Sequence, residues 1–280
     1  FFSSRRRHTR WMLPKVLMRL NISPKYSIIY MLNPLMIIDV VGNAHFEAVM
    51  IFFTVLSVKL IQDKKLKLAG VSLALAVGTK LIPLLFLPFL LKALPKKEKW
   101  HFILGFGALF IVLFSPFLHP EIALNFLSSI RLYLQTFEFN ASIYYVARQF
   151  SFLIVGYNAI FIIGPALGVS SLGVIAYLFH KQESNDLQSA LKSSFWGLMW
   201  YLLLATTIHP WYIALLIILG LFTRNFAAVA WSMLIFLSYS AYGNELNKEN
   251  EIILAIEYGG LAVAMFYPKL TRRLFSSAIQ

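Results

Sequence analysis

Of the chain's 280 residues, 59% are hydrophobic and 13% charged, with mean hydropathy +0.71; a soluble domain carries roughly 25% charged residues, so an ordinary soluble fold is excluded. The expectation is an all-α polytopic membrane protein. The formal net charge of +13 sits in short connections between apolar runs, where topology explains it better than a nucleic-acid partner does, and the absence of Cys excludes disulfides, thiolate nucleophiles and cysteine-ligated metals.

In chain order, residues 1–11 (FFSSRRRHTRW) lack an initiator Met and read like a translated sequencing adapter; they are expected to be an artefactual leader, the alternative being a basic cytoplasmic tail. Residues 12–280 then form a single integral membrane domain. A basic stretch around Lys15, Arg19 and Lys25 precedes a segment over 26–41, and apolar runs follow at 46–61, 68–91, 102–118, 151–179, 194–208, 211–222, 226–242 and 252–267. Several of these approach the roughly 20 residues needed to cross a bilayer. Lys64, Lys65 and Lys67 precede 68–91, and Lys92, Lys96, Lys97 and Lys99 follow it, so the positive-inside rule wants both its flanks in the cytoplasm. One simple crossing cannot satisfy that. A break near Thr79-Lys80 gives two short helices in a re-entrant or broken arrangement, supported by Pro83 and Pro88.

The later segments alternate without conflict and leave both termini in the cytoplasm. His45, Glu47, His119, Glu121, Glu138, His209, Glu245, Glu249 and Glu251 then gather at the extracytoplasmic face. There residues 119–150 form an amphipathic loop, with Phe126, Ile130, Leu134 and Phe137 at helical spacing. It either caps a site or serves as a belt of aromatic anchors at the lipid interface.

Polar residues inside the apolar segments are the candidates for chemistry. Asn33-Pro34, Asp39, Gly42, Asn43, His45 and Glu47 form the densest group. A carboxylate near mid-bilayer costs about 2.5–3.5 kcal/mol, so these side chains face the bundle interior or outer water. They either line a site or bond across helices and satisfy backbone freed by Pro34. Lys80, between Gly78 and Pro83, either binds a phosphate as a point charge, or snorkels or pairs with Asp39. His209-Pro210-Trp211-Tyr212 offers an imidazole and two rings that stack on sugars and on interfacial lipid alike. The chain has no P-loop, dinucleotide fingerprint, HExxH or GxSxG, which argues against nucleotide-driven chemistry. It has no Asp-X-Asp string either; no metal or cofactor is assigned, and a divalent cation is left open.

The strings NPLMIIDVVGNAHFEAVMIFF (33–53), GTKLIPLLFLPFLL (78–91), FEFNASIYY (137–145) and HPWY (209–212) resemble, in order, bacterial multi-pass mannosyltransferase-like proteins. These are relatives of the GT-C glycosyltransferases that include the first mannosyltransferase of GPI-anchor assembly. The likeness runs over roughly residues 13–270. It implies a GT-C-like transmembrane bundle in the bacterial inner membrane and an inverting transfer of a hexose, usually mannose. The donor would be a polyprenyl-phosphate sugar and the acceptor a lipid or glycan at the extracytoplasmic face, with membrane lipids and no nucleic acid as further partners.

On the same resemblance Asn33, Asp39, Asn43, His45 and Glu47 line the acceptor or sugar pocket, and Lys80 holds the donor phosphate. His209, Trp211 and Tyr212 shape the lipid-facing entrance, and Glu138 and Asn140 reach the sugar from the capping loop. Two departures stand out. The family often has Glu where this chain has Asp39, and its catalytic carboxylate belongs to a first outer loop that would lie upstream of residue 12, so the chain by itself is expected to lack the base. The rival classes are a transporter or lipid flippase, which would show an internal repeat, and a non-catalytic membrane scaffold.

Overall fold

A computed structural model describes residues 12–243 and 248–269; the leader expected at 1–11 lies outside them. Every regular element among the described residues is helical. The chain begins with helix α1 (12–19), a 3-10 turn (Pro24–Tyr26), α2 (Ser27–Met31) and a π-helical stretch (Met36–Gly42). Then come α3 (Glu47–Gln62), α4 (Leu66–Thr79), a 3-10 turn (Ile82–Phe86), α5 (Leu87–Ala93) and α6 (Lys99–Phe114), which a further turn prolongs to Leu118. The capping region holds α7 (Pro120–Thr136) and α8 (Ile143–Val155). After it run α9 (Ile160–Lys181), α10 (Leu187–Leu204), the turn Pro210–Ile213, α11 (Ala214–Thr223), α12 (Ala227–Leu234) with its 3-10 continuation Ile235–Gly243, and α13 (Glu251–Phe266).

Small residues fix the direction of the first layer. Ser57 Oγ donates to Ala69 O (2.8 Å) and Ser72 Oγ to Phe53 O (2.8 Å), so α3 and α4 are antiparallel. Gly70 lies against the backbone of Phe102 and Phe106, Gly105 against the backbone of Lys67, and Gly78 against Leu113, so α4 and α6 run parallel. A Cβ on Gly70 would sit 2.2 Å from Phe102 O, which is why only glycine allows the two backbones to meet. Two parallel neighbours need a return path between them. The turn Ile82–Phe86 and α5 supply it, so 68–91 is a hairpin of two short helices broken at Lys80, whose backbone is extended (φ −152°, ψ 141°).

α11 is buried along its whole length, from Ala214 to Phe222, and packs against α10, α12 and α3. It is the centre of the bundle. The outer helices are the reverse: Lys99–Leu118 and Ile160–Lys181 are long and apolar enough to cross a membrane and are largely unburied, exposing Leu104, Ile111 and Val112 on one and Val169 and Leu172 on the other. The pair Met36–Gly42 and Glu47–Gln62, bent by 105°, makes a third span if counted as one. These helices support a membrane protein.

Two segments differ from the sequence expectation. The run 151–179 is not one crossing: α8 stops at Gly156, left-handed at φ 78°, and Ser151 Oγ, which donates to Tyr157 O (2.6 Å), accepts from Ala159 N (3.1 Å). A side chain that satisfies freed backbone in this way stabilises a corner, and the span starts afresh at Ile160. The stretch 26–41 is likewise divided, because Pro34 cannot donate to the preceding turn and Asn33 Oδ1 instead accepts from Leu35 N (3.0 Å).

The parallel contact of α4 and α6 gives a stability prediction. Gly70→Ala should cost about 1–3 kcal/mol by overpacking and lower the melting temperature in detergent. Gly107→Ala, whose Cβ would meet nothing within 4 Å, should not; equal melting of the two variants would refute the close contact.

Candidate functional site

The polar contacts sort to two ends of the bundle. At one end Arg19 and Lys59 pair with Asp63, Arg224 donates to Asn21 O, Gln188 Nε2 to Phe222 O (2.9 Å) and Lys92 Nζ to Phe179 O (2.6 Å). This end carries the lysine-rich connections. The other end is built from the two helix breaks, the turn at 209–213 and the capping region.

Three local features put chemistry there. The bend between the π-helical stretch and α3 sets Asp39, Asn43, His45 and Glu47 around one corner; π-helical turns of this kind recur at functional sites. Glu47 occupies the first turn of α3, where the helix dipole favours a carboxylate. The hairpin break then brings Lys80 Nζ to Glu47 Oε1 as an ion pair. This answers one open question of the sequence reading, since Lys80 pairs with Glu47 and not with Asp39. The Glu47 side chain is 2% exposed and that of Lys80 29%, so one partner is sealed in and the other is reachable. Lys80 Nζ also stands 5.8 Å from the centre of the Tyr212 ring.

A file of rings runs beside this pair. His45 stacks on Trp211 at 4.2 Å, Trp211 on His209 at 4.6 Å, and His209 on Phe139 at 5.1 Å. Phe139 meets Tyr242 at 5.4 Å, Tyr242 meets Tyr239 at 5.8 Å, and the Tyr239 hydroxyl donates to Asp39 Oδ1. Asn43 Nδ2 donates to the same oxygen (3.1 Å). The file therefore starts and ends within residues 39–45. Asp39 Oδ2 and Glu47 Oε2 are buried without a hydrogen-bond partner among the described residues.

The remaining expected residues lie apart from this corner. Asn33 is buried between helices, with Nδ2 donating to Ser232 Oγ (2.8 Å). Glu138 is engaged within the capping region by Arg148 Nη1 (2.9 Å), Asn158 Nδ2 (3.1 Å) and the Tyr144 hydroxyl. Asn140, held at φ 47°, donates its backbone N–H to Glu249 and its Nδ2 to Glu257 Oε1 (3.1 Å), while Trp231 Nε1 also donates to that oxygen (2.9 Å). These contacts tie the cap to α13. The sequence reading missed Tyr239 and Glu257. Glu257 gave a usable signal, a carboxylate within an apolar run; Tyr239, one of several aromatic residues in its segment, gave none.

Burial and the nearby charges of His45 and Lys80 lower the pKa of His209. At the cap, burial raises that of Glu249, against hydrogen bonds from Tyr145 and Asn140 that lower it. Among the described residues no three His, Asp or Glu side chains are grouped to hold a metal ion. A reachable ammonium beside a stacked imidazole and indole suits a ligand with a phosphate and a flat, hydroxyl-rich face.

With His209 depressed below its ordinary 6.5, the unfolded chain binds more protons between 6.5 and the folded value. Stability is therefore full above that window and is lost as pH falls through it. Melting of wild type minus His209→Gln, followed from pH 8 to pH 5, should show this slope, and a flat difference would remove His209 from the buried stack.

Residues 8–96 match the family described as alpha-(1->6)-mannopyranosyltransferase, N-terminal domain. No curated protein and no solved structure matches the chain. The family match covers the 39–47 corner, the Lys80 hairpin and the ion pair that joins them, and it supports mannosyl transfer between a sugar donor and an acceptor.

Proposed function

We propose that the chain is a GT-C-type membrane mannosyltransferase that takes mannose from a polyprenyl-phosphate donor and passes it, with inversion, to a lipid or glycan acceptor. The observation that carries this reading is the meeting of Lys80 with the ring file at the end away from the lysine-rich connections. Lys80 binds the donor phosphate and stabilises the charge that grows on it as the sugar leaves. Tyr212 offers a face for the sugar and the first units of the lipid, and Trp211, held between His45 and His209, braces the entrance beside it. Asp39 and Asn43 supply a hydrogen-bond acceptor and a donor for sugar hydroxyls, Glu47 holds Lys80 beside them, and Asn33 holds their corner in shape. Glu138 and Asn140 act through the cap, fixing its fold over the site.

The positive-inside rule assigns the lysine-rich end to the cytoplasm, which turns the site outward in a bacterial inner membrane. A polyprenyl-phosphate sugar fits that placement because its lipid keeps it in the bilayer and its phosphate is a fixed charge for Lys80. An inverting transfer also needs a carboxylate to take the acceptor's proton.

The test is transfer of labelled mannose from polyprenyl-phosphate mannose to lipid extracts by membranes expressing the native gene. Lys80→Ala should reduce transfer per unit of folded protein by about 10²–10³-fold, the usual cost of losing one transition-state charge contact. Undiminished transfer would take Lys80 out of the site. Transfer from a nucleotide-linked mannose alone would sink the lipid-phosphate donor.

A further inference from the structure

The ion pair at the hairpin break has a feature that anion binding alone does not explain. Lys80 is the cation best placed to meet a phosphate, yet its charge is already cancelled by Glu47. A neutralised lysine attracts an anion far less than a free one, and the pair is partly withdrawn from water, which strengthens the attraction within it. The geometry is also asymmetric. Glu47 is sealed at the start of α3 while Lys80 is 29% exposed and springs from the residue where α4 has ended in an extended backbone. Four rotatable side-chain bonds let its ammonium swing, whereas the Glu47 carboxylate is fixed by burial.

We propose that Glu47 is a stand-in for the donor phosphate, locking Lys80 until the phosphate displaces it. This rests on the reading of Lys80 as the phosphate anchor. In the locked arrangement the Glu47 carboxylate takes the place of the ligand's anion. Binding exchanges one anion for the other at the same ammonium, and part of the donor's binding energy goes into breaking the pair. The lock makes the site selective: the phosphodiester of a lipid held in the same bilayer is presented to the ammonium at high local concentration and can compete with a built-in carboxylate, and the same anion free in dilute solution cannot. Glu47 is then a residue that sets donor affinity through Lys80 and need not touch the sugar.

Binding of farnesyl phosphate in detergent by wild type, Glu47→Gln, Lys80→Ala and the double variant tests this, with melting curves establishing that each is folded. A charged hydrogen bond is worth about 1.5–3 kcal/mol, so release of the lock in Glu47→Gln should tighten binding by about tenfold or more. Lys80→Ala should weaken binding, and Glu47→Gln should give no gain when Lys80 is absent. In enzyme assays the Gln variant should show a lower KM for the donor than wild type, and this gain should vanish when Lys80 is absent. Glu47→Asp, which keeps the charge at shorter reach, should fall between wild type and Gln and serves in place of the Gln variant should that one not fold.

Weaker binding by Glu47→Gln would overturn the lock and make Glu47 a positioning residue. Tightening that persists without Lys80 would also overturn it, since general repulsion between anions would then be the cause. Undiminished binding by Lys80→Ala would refute the underlying phosphate-anchor reading instead, so the two failures give different results.

Discussion

A helix that stops inside an apolar bundle strands backbone groups that water cannot reach, and the bundle must find partners for them. Two of this chain's helix stops, after Met31 and after Thr79, come together at the candidate site. Around the first break Asn33 answers the backbone of Leu35 and reaches Ser232 on α12. Around the second, Thr79 Oγ1 donates back to Leu75 O (2.9 Å), and the residue left without a turn is Lys80. Because the parallel packing of α4 and α6 forces the hairpin to return, the second break rises to the level of the first. The groups gathered at one break then meet those gathered at the other.

Much of this organisation is legible in the sequence, and the reason is local charge. Lysines on both flanks of 68–91 cannot be reconciled with one crossing, so the hairpin follows from counting alone, and the position of the break from Lys80 and the two prolines. The resemblance to mannosyltransferases rests on short strings along the chain, and those at 33–53 and 78–91 fall within the family match over residues 8–96. Partners were harder. Asp39 and Glu47 are both acids of one apolar stretch, and no periodicity decides which reaches Lys80; the π-helical stretch and the 105° bend turn Asp39 towards Tyr239 and leave Glu47 to the lysine. The partners of Glu138 were hidden likewise, because Arg148 and Asn158 lie 10 and 20 residues further on, separations that only the folded cap closes.

The same limit explains the corner at Gly156. Its neighbours on both sides are apolar and the run reads as continuous, so hydropathy carries straight through it. What ends α8 is a conformational matter, a left-handed glycine and one serine hydroxyl serving two backbone groups. Signals of that kind are faint in a sequence where nearly every window is apolar.

The cap is stitched down on two sides. Phe139 N–H donates to Thr206 O (3.1 Å) and Ile208 N–H to Phe139 O (2.8 Å), Ser142 Oγ reaches Leu203 O (2.8 Å), and across the site Asn140 and Tyr145 hold Glu249 while Tyr258 holds the backbone of Asn140. A roof fastened along both eaves does not lift like a flap. On the proposed reading, a lipid-borne donor would then reach Lys80 sideways, between helices, and not from under a lifted cap.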